Sequence, residues 1–237
     1  MQLAGRPVET DPSPGSWIAA ALAPAEPHTV AAVVPAVFPA YARLPHPAVR
    51  YAEDDDLPVT WSEVAAHNDR IAHRLMQWPA VTGSWDFVAE ADQPELWNDA
   101  PAEGHLPAEV AQRLIDVLAR HTATPEEIWF ALWDGHLDTG DLPLLPVGNR
   151  CFLLVRGPLR LAAANFVPEP AEQSANLWWP ADRSWCVGTD TDLMSTYVGG
   201  SAATVAALLA ADGLEACPAE PTDPVTPDSD AVNPPPD

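Results

Sequence analysis

The residues with the clearest potential for chemistry lie in one stretch, NLWWPADRSWCVGTDTDLMSTYVGGS at 176–201. Asp190 and Asp192 are two positions apart, so their carboxylates share a face if the chain is extended there, and Asp182 in the preceding turn can approach them. Grouped carboxylates of this kind can bind Mg²⁺ or Ca²⁺, or share acid and base roles. The sequence ties no further acid to the group, so we favour a solvated strand end and predict no metal ion and no other cofactor.

The Gly-Gly-Ser turn that ends this stretch has the order strand, Gly199, Ser201, helix, which is similar to the nucleophile turn of α/β-hydrolases. That fold places its acid and its histidine after the serine, whereas the last of the seven histidines here is His136. We therefore predict that Ser201 caps a helix and that no residue is catalytic. Anion binding at the N-terminus of this helix remains an alternative.

A second group of polar residues lies in WDGHLDTGDL at 133–142. Its alternating acids are similar to a calcium-binding loop, but glycine falls at the wrong position and the terminal glutamate is missing. We expect a polar loop. Asp134 and His136 still offer one wall of an alternative pocket, with Asp190 and Asp192 on the facing strand.

The tryptophans predict a contact surface. Trp178 and Trp179 are adjacent, so in a strand they point to opposite faces, and at most one of them can join Trp185 in a common core layer. The other must then meet solvent, a loop or a partner. Because tryptophan is enriched at contact sites, we expect a partly exposed tryptophan ringed by acids to be the binding surface.

Composition limits the partners that such a surface can bind. The 237 residues include 34 acids and 11 basic residues, all of them arginine, for a net charge of −23. This charge argues against nucleic acid and against an anionic membrane surface, and it is compatible with a basic protein partner. The three widely spaced cysteines suggest neither a disulfide framework nor a zinc site. With no signal-like or membrane-spanning segment, we expect a soluble cytoplasmic protein.

The domain that must position these residues is expected to span 16–217. Residues 1–15 are polar and rich in proline and glycine, and residues 218–237 combine prolines with acids and have little to bury, so we predict that both ends are disordered. Within the domain, helices are predicted from Ser16, over 61–77, from Pro107 to about Arg120, and from Ser201 to about Ala210. Strands are predicted at IWFALW, RCFLLVRG, NLWW, SWCVGT and TYV.

Strands and helices in this order lack the regular alternation of a parallel doubly wound sheet. They favour an α+β fold with a largely antiparallel or mixed sheet and two to three helices packed on one face.

Four segments also carry a family resemblance, namely VVPAVFPAYARLPHPA at 33–48, RHTATPEEIWFALWDG at 120–135, CFLLVRGPL at 151–159, and the pattern LWWPxDRxWCVxTDxDxxSTYVGGS at 177–201. Together they resemble a family of soluble actinobacterial proteins, over most of residues 16–217. The resemblance implies that the four segments belong to one domain. It implies no activity and carries no catalytic role to any residue.

These observations favour a non-enzymatic protein-interaction module whose acidic, tryptophan-bearing surface binds a basic partner. An immunity or toxin-neutralising role is one version of this hypothesis, by analogy with other small acidic α+β domains. The alternative is an enzyme, or a binder of small ligands or divalent metals, with its pocket near Asp134, His136, Asp190 and Asp192.

Overall fold

The computed structural model describes residues 1–53, 55–85, 93, 95–167 and 171–236. For His136 it describes the backbone alone. Its helices are α1 (Ser16–Leu22), α2 (Trp61–His67), α3 (Trp78–Thr82), α4 (Ala108–Leu118) and α5 (Ala202–Leu209). Its strands are β1 (Gln2–Leu3), β2 (Arg6–Pro7), β3 (Ala40–Pro45), β4 (Ala48–Arg50), β5 (Leu57–Val59), β6 (Ile128–Trp133), β7 (Leu145–Val147), β8 (Arg150–Gly157), β9 (Leu177–Pro180), β10 (Cys186–Thr189), β11 (Ser195–Gly200) and β12 (Cys217–Ala219). Among the described residues, no helix combines the length and apolar character needed to cross a bilayer.

Eight of the strands form one antiparallel sheet in the order β12-β3-β11-β10-β9-β6-β8-β7. IWFALW and RCFLLVRG are the neighbouring strands β6 and β8, paired from Ile128 opposite Gly157 to Trp133 opposite Phe152. The predicted α+β class with a largely antiparallel sheet is confirmed. Strands that are apolar at every position occupy the middle of the sheet because both of their faces are covered there.

Helices cover both faces of this sheet, not one face as predicted, and the described residues hold five helices, more than the two or three expected. One hydrophobic core, here the α4/α5 core, lies between these two helices and the sheet residues Phe130, Trp178 and Val187. The opposite face forms the α1 core, where Ile18 of α1 and the segment 30–34 pack on residues that include Trp179. Alternate positions of each central strand therefore enter different cores.

A third core lies beside the main sheet and contains three tryptophans in contact with one another. Trp61, Trp78 and Trp97 pack in sequence, with centroids 5.6 and 5.2 Å apart, against the two-stranded ribbon of β4 and β5. The predicted Thr60 and Glu63 capping box is present at the start of α2. We refer to this unit as the tryptophan core.

The helix predicted over 61–77 ends ten residues early, at His67. Asp69 has a left-handed φ of 54°, which breaks the helix, and the Asn68 side chain donates to Val81 O at 2.9 Å. Trp78 reaches the tryptophan core from its own short helix instead. Helical spacing over 61–77 was therefore coincidental for Ile71, which lies on the surface.

The N-terminal segment differs from the prediction of disorder. β1 and β2 form a small hairpin, and Val8 then forms a bridge with Val155 of β8. Leu3 and Val8 are buried in the α4/α5 core. A few apolar side chains suffice to hold this polar segment because β8 leaves an unpaired edge beyond the end of β7.

The C-terminal segment also differs from that prediction. Val225 is buried in the α1 core, and Val30 and Ala31 donate backbone hydrogen bonds to Asp223 and Pro221. Further along, Asn233 accepts from Ile71 N and donates to Ile71 O. The prolines suggested disorder, but they only restrict the backbone angles. Polar side chains can still hold the segment against the domain.

Candidate functional site

The tryptophans predicted to form a contact surface are all buried. Trp178 and Trp179 are each 1% exposed, one in the α4/α5 core and the other in the α1 core, and Trp185 packs edge-on against Trp178. The sequence argument assumed that one face of the strand meets solvent. Because both faces of the sheet are covered, neither tryptophan is available, and the predicted tryptophan-bearing surface is wrong.

Asp190 and Asp192 do come together, but they share an arginine. Arg150 contacts Asp190 Oδ1 at 3.0 Å through Nη1 and Asp192 Oδ2 at 2.7 Å through Nη2. Asp192 N also donates to Asp190 Oδ1. Arg150, from β8, thus compensates one of the two negative charges in the turn that joins β10 and β11.

Asp182 does not converge with them, because it lies in the turn between β9 and β10, at the other end of β10. Its carboxylate accepts from Ala123 N at 2.6 Å, from Thr122 Oγ1 and from Ser184 N. Burial raises the pKa of Asp182, but these hydrogen bonds outweigh it and leave the pKa below its usual range. Its role is to fasten the β9–β10 turn to the segment before β6. In the described part of the chain, no three His, Cys, Asp or Glu side chains form a possible metal site.

The residues of the alternative pocket lie at the end of β6 and in the β10–β11 turn, and Arg150 contacts both regions. Asp134 and His136 lie in a 3-10 turn directly after β6, and the side chain of His136 lies outside the described atoms. Arg150, which holds Asp190 and Asp192, also lies over the Trp133 ring at 5.6 Å. Arg150 thus contacts both Trp133, the residue directly before Asp134, and the Asp190/Asp192 pair.

Ser201 caps α5 as predicted. Its hydroxyl accepts from Thr204 N at 3.1 Å, and Gly200 leaves room for the Thr204 side chain. The serine therefore stabilises the helix start, and among the described residues the side-chain hydrogen bonds of Ser201 are made with Thr204.

A cleft that sequence reasoning missed lies between α3 and the β10–β11 turn. It encloses about 30 Å³ and its floor carries four buried polar side chains. These are Arg43, Gln77, Ser195 and Tyr197. Trp78, Pro79 and Met194 contribute apolar walls, and Glu103 and Asp192 lie at its edge. We call this the Arg43 cleft.

Arg43 organises the floor of the cleft. It lies directly opposite Tyr197 in the β3–β11 register, so the two side chains share one face of the sheet. Its Nε donates to Ser195 Oγ at 3.1 Å, its Nη1 donates to Met76 O at 2.7 Å, and its guanidinium lies 5.0 Å above the Trp61 ring. A charged residue inside the apolar segment FPAYARL was the only sequence signal for this site.

The edge of the cleft is acidic. Glu103 is placed there because Gly104 N donates to Leu193 O at 2.9 Å, which joins the 102–104 segment to the β10–β11 turn. Gly104 has a φ of +70°, and a Cβ there would lie 2.4 Å from Thr191 O. Burial, followed by the charge of Asp192, raises the pKa of Glu103.

A chain of hydrogen bonds lies near the cleft, on the other face of β3 and β11. His46 Nδ1 donates to Ala102 O at 2.6 Å and its Nε2 accepts from Thr196 Oγ1 at 2.9 Å, which in turn bonds Thr189 Oγ1 at 2.7 Å. Burial lowers the pKa of His46 to about 4. The neutral ring therefore links the strand ends to the 102–104 segment.

The most exposed aromatic feature among the described residues lies on the β4–β5 hairpin. Tyr51 is 57% exposed and directly follows β4, and Leu57, which is 41% exposed, begins β5. The loop between them carries the exposed acids Glu53, Asp55 and Asp56. We call these five residues the hairpin surface.

Comparison with known proteins does not assign this chain to a family. No protein-family model, curated protein or solved structure matches the chain.

Proposed function

We propose that this protein is an interaction module that binds a basic protein segment through the hairpin surface. The observation that carries the proposal is that one hairpin combines an exposed tyrosine and leucine with three exposed carboxylates in its loop. Tyrosine is a frequent energetic centre of protein interfaces, and surrounding acids attract and orient a basic partner.

The hairpin is held in place from behind, which favours binding without reorganisation. Ala48 and Val59 are buried in the tryptophan core, and Val49 exchanges backbone hydrogen bonds with Asp99. The Tyr51 hydroxyl donates to Asp99 Oδ2 at 2.7 Å, which fixes the ring while it stays exposed. A surface that is already ordered loses less entropy when a partner binds.

Among the described residues, no ion pair involves the three acids of the hairpin surface. In the described part of the chain, Arg74, Arg150, Arg156 and Arg160 form the ion pairs between arginine and carboxylates. None of these reaches Glu53, Asp55 or Asp56. The excess of 34 acids over 11 arginines therefore leaves these carboxylates available for cations of a partner.

The three cysteines are free, which fits our proposal that the protein acts in the reducing cytoplasm.

The test uses two synthetic peptides of equal length, one containing arginine and leucine and the other glutamate and leucine. We expect the basic peptide alone to bind, more weakly as salt rises. Tyr51→Ala and the double variant Asp55→Asn/Asp56→Asn should each weaken its binding about tenfold. Tyr51→Phe should keep most of the affinity because it keeps the ring.

The matched control is Asp138→Asn/Asp141→Asn, which removes two exposed charges from the loop between β6 and β7. If this control weakens binding as much as the hairpin double variant, only net charge matters and the hairpin surface is not the site. Equal binding of the two peptides would also contradict the proposal.

A further inference from the structure

We propose that the Arg43 cleft binds a small zwitterion, with its carboxylate at Arg43 and Tyr197 and its protonated amine at Glu103 and Asp192. This site goes beyond the interaction surface proposed above and uses none of its residues. The ligand class is a short aliphatic amino acid.

The floor of the cleft has donors for a carboxylate. A guanidinium has five N–H groups. Four of those of Arg43 donate to Ser195 Oγ, Met76 O, Arg74 O and Gln77 Oε1, which leaves one on Nη2. The Tyr197 hydroxyl has no hydrogen-bond partner among the described residues, although Tyr197 is only 2% exposed. Two donors without a described acceptor thus belong to residues that lie opposite each other in the sheet and line the same cleft.

The charge of Arg43 also favours an anion. All four of its acceptors are neutral, and no carboxylate pairs with it in the described part of the chain. A buried arginine is usually paired, because neutral acceptors compensate only part of the cost of removing its charge from water. A carboxylate at the floor would form charge-assisted hydrogen bonds, which are about twice as strong as neutral ones.

The edge of the cleft favours the opposite charge. Glu103 forms no ion pair among the described residues, and Asp192 shares Arg150 with Asp190. The desolvation of Glu103 and the proximity of Asp192, which together raise the pKa of Glu103, would both be offset by a cation between the two carboxylates. An ammonium group at the edge fits this requirement.

Size and net charge select a small zwitterion. The enclosed volume of about 30 Å³ accommodates a carboxylate-sized group and not a typical drug-sized ligand, whose pockets hold roughly 300–1,000 Å³. A free anion would be repelled by the net charge of −23, whereas a zwitterion is neutral as a whole. The apolar walls formed by Trp78 and Met194 suit the methylene carbons between the two charged ends.

The test is a thermal-shift and calorimetric titration with glycine, β-alanine and 4-aminobutyrate, each at up to ~50 mM, because a ligand of the native state raises the melting temperature. Acetate and methylammonium serve as the two half-ligands. We expect at least one zwitterion to bind more tightly than either half-ligand. Failure of all three zwitterions to bind, or acetate binding as tightly as the best of them, would overturn the proposal.

Two conservative variants assign the ends of the ligand. Tyr197→Phe removes only a hydroxyl, and Glu103→Gln keeps the shape of an exposed side chain, so both should fold. Each should weaken the zwitterion about tenfold, as expected for loss of one charged hydrogen bond. Glu103→Gln should leave acetate binding unchanged or stronger, and Asp138→Asn should leave zwitterion binding unchanged. If Asp138→Asn weakens the zwitterion as much as Glu103→Gln, the cleft is not the site. Peptide binding by the hairpin surface is measured separately and should not change in either cleft variant.

Discussion

Trp178 and Trp179 are neighbours in β9, yet they belong to different hydrophobic cores on opposite faces of the sheet. Trp178 packs edge-on against Trp185 at a centroid distance of 5.4 Å, and Trp179 packs edge-on against Trp17 at 6.1 Å. One dipeptide therefore fastens both helical layers to the middle of the sheet.

Replacing either tryptophan by alanine should lower the free energy of unfolding by about 3–5 kcal/mol, because each change leaves a large cavity in a closed core. Urea denaturation of Trp178→Ala and Trp179→Ala measures this. Trp85→Ala is the comparison, since Trp85 is 46% exposed, and it should change stability by less than about 1 kcal/mol. If Trp179→Ala and Trp85→Ala changed the free energy of unfolding equally, the result would contradict the burial of both faces of the sheet.

Gly188→Ala should be strongly destabilising for a steric reason. A Cβ at Gly188 would lie 2.4 Å from the backbone oxygen of Val33, so the segment covering the α1 core would have to move. We expect a loss above about 2 kcal/mol, in the range of other overpacked sites. Gly140→Ala, where a φ of +51° is the only obstacle, should cost about 1 kcal/mol. Melting curves of the two variants distinguish the causes, and similar losses would argue against the close approach at Gly188.

Asn233→Ala should release the C-terminal segment from the domain. The Asn233 side chain accepts from Ile71 N at 2.9 Å and donates to Asp230 Oδ2 at 2.9 Å, so its loss leaves partly buried groups unpaired. We expect a stability loss of about 1–3 kcal/mol and faster hydrogen exchange at the Ile71 amide. Val232→Ala, at an exposed position, should change neither quantity. Unaltered exchange at Ile71 in Asn233→Ala would show that the contact does not hold the segment.

Stability should fall as the pH drops from about 6.5 towards 4, because His46 is buried as a neutral ring. Its pKa is lowered to about 4 in the folded protein, so between these values the unfolded chain binds a proton that the native state excludes. The contribution is complete above pH 6.5, and its loss amounts to roughly 3 kcal/mol by pH 4. Urea denaturation at pH 7 and pH 5, where few carboxylates titrate, measures it.

The His46→Gln variant provides the control for this pH dependence. It should be less stable at pH 7, because a glutamine cannot reproduce both hydrogen bonds of the ring. Its stability should also change less between pH 7 and pH 5 than that of the original protein. An equal change in both proteins would show that another group is responsible.

Local sequence patterns determined much of the secondary structure. The capping box of Thr60 and Glu63, the Ser201 cap and the uniformly apolar strands β6 and β8 all follow from side chains within a few residues of each other. Hydrogen bonds at helix ends and the alternation of a strand are local properties, and a sequence records them directly. The α+β class with an antiparallel sheet follows from the same patterns.

Tertiary structure alone decided which surfaces remain free. Trp178 is covered by α4 and α5, and Trp179 is covered by α1 and the segment 30–34, which lies far from β9 in the sequence. The pairing of Arg43 with Tyr197, 154 positions later, arises from the register of β3 and β11. The burial and the charge partners of a residue depend on neighbours that are distant in the sequence. The sequence pattern therefore does not show what these residues contact.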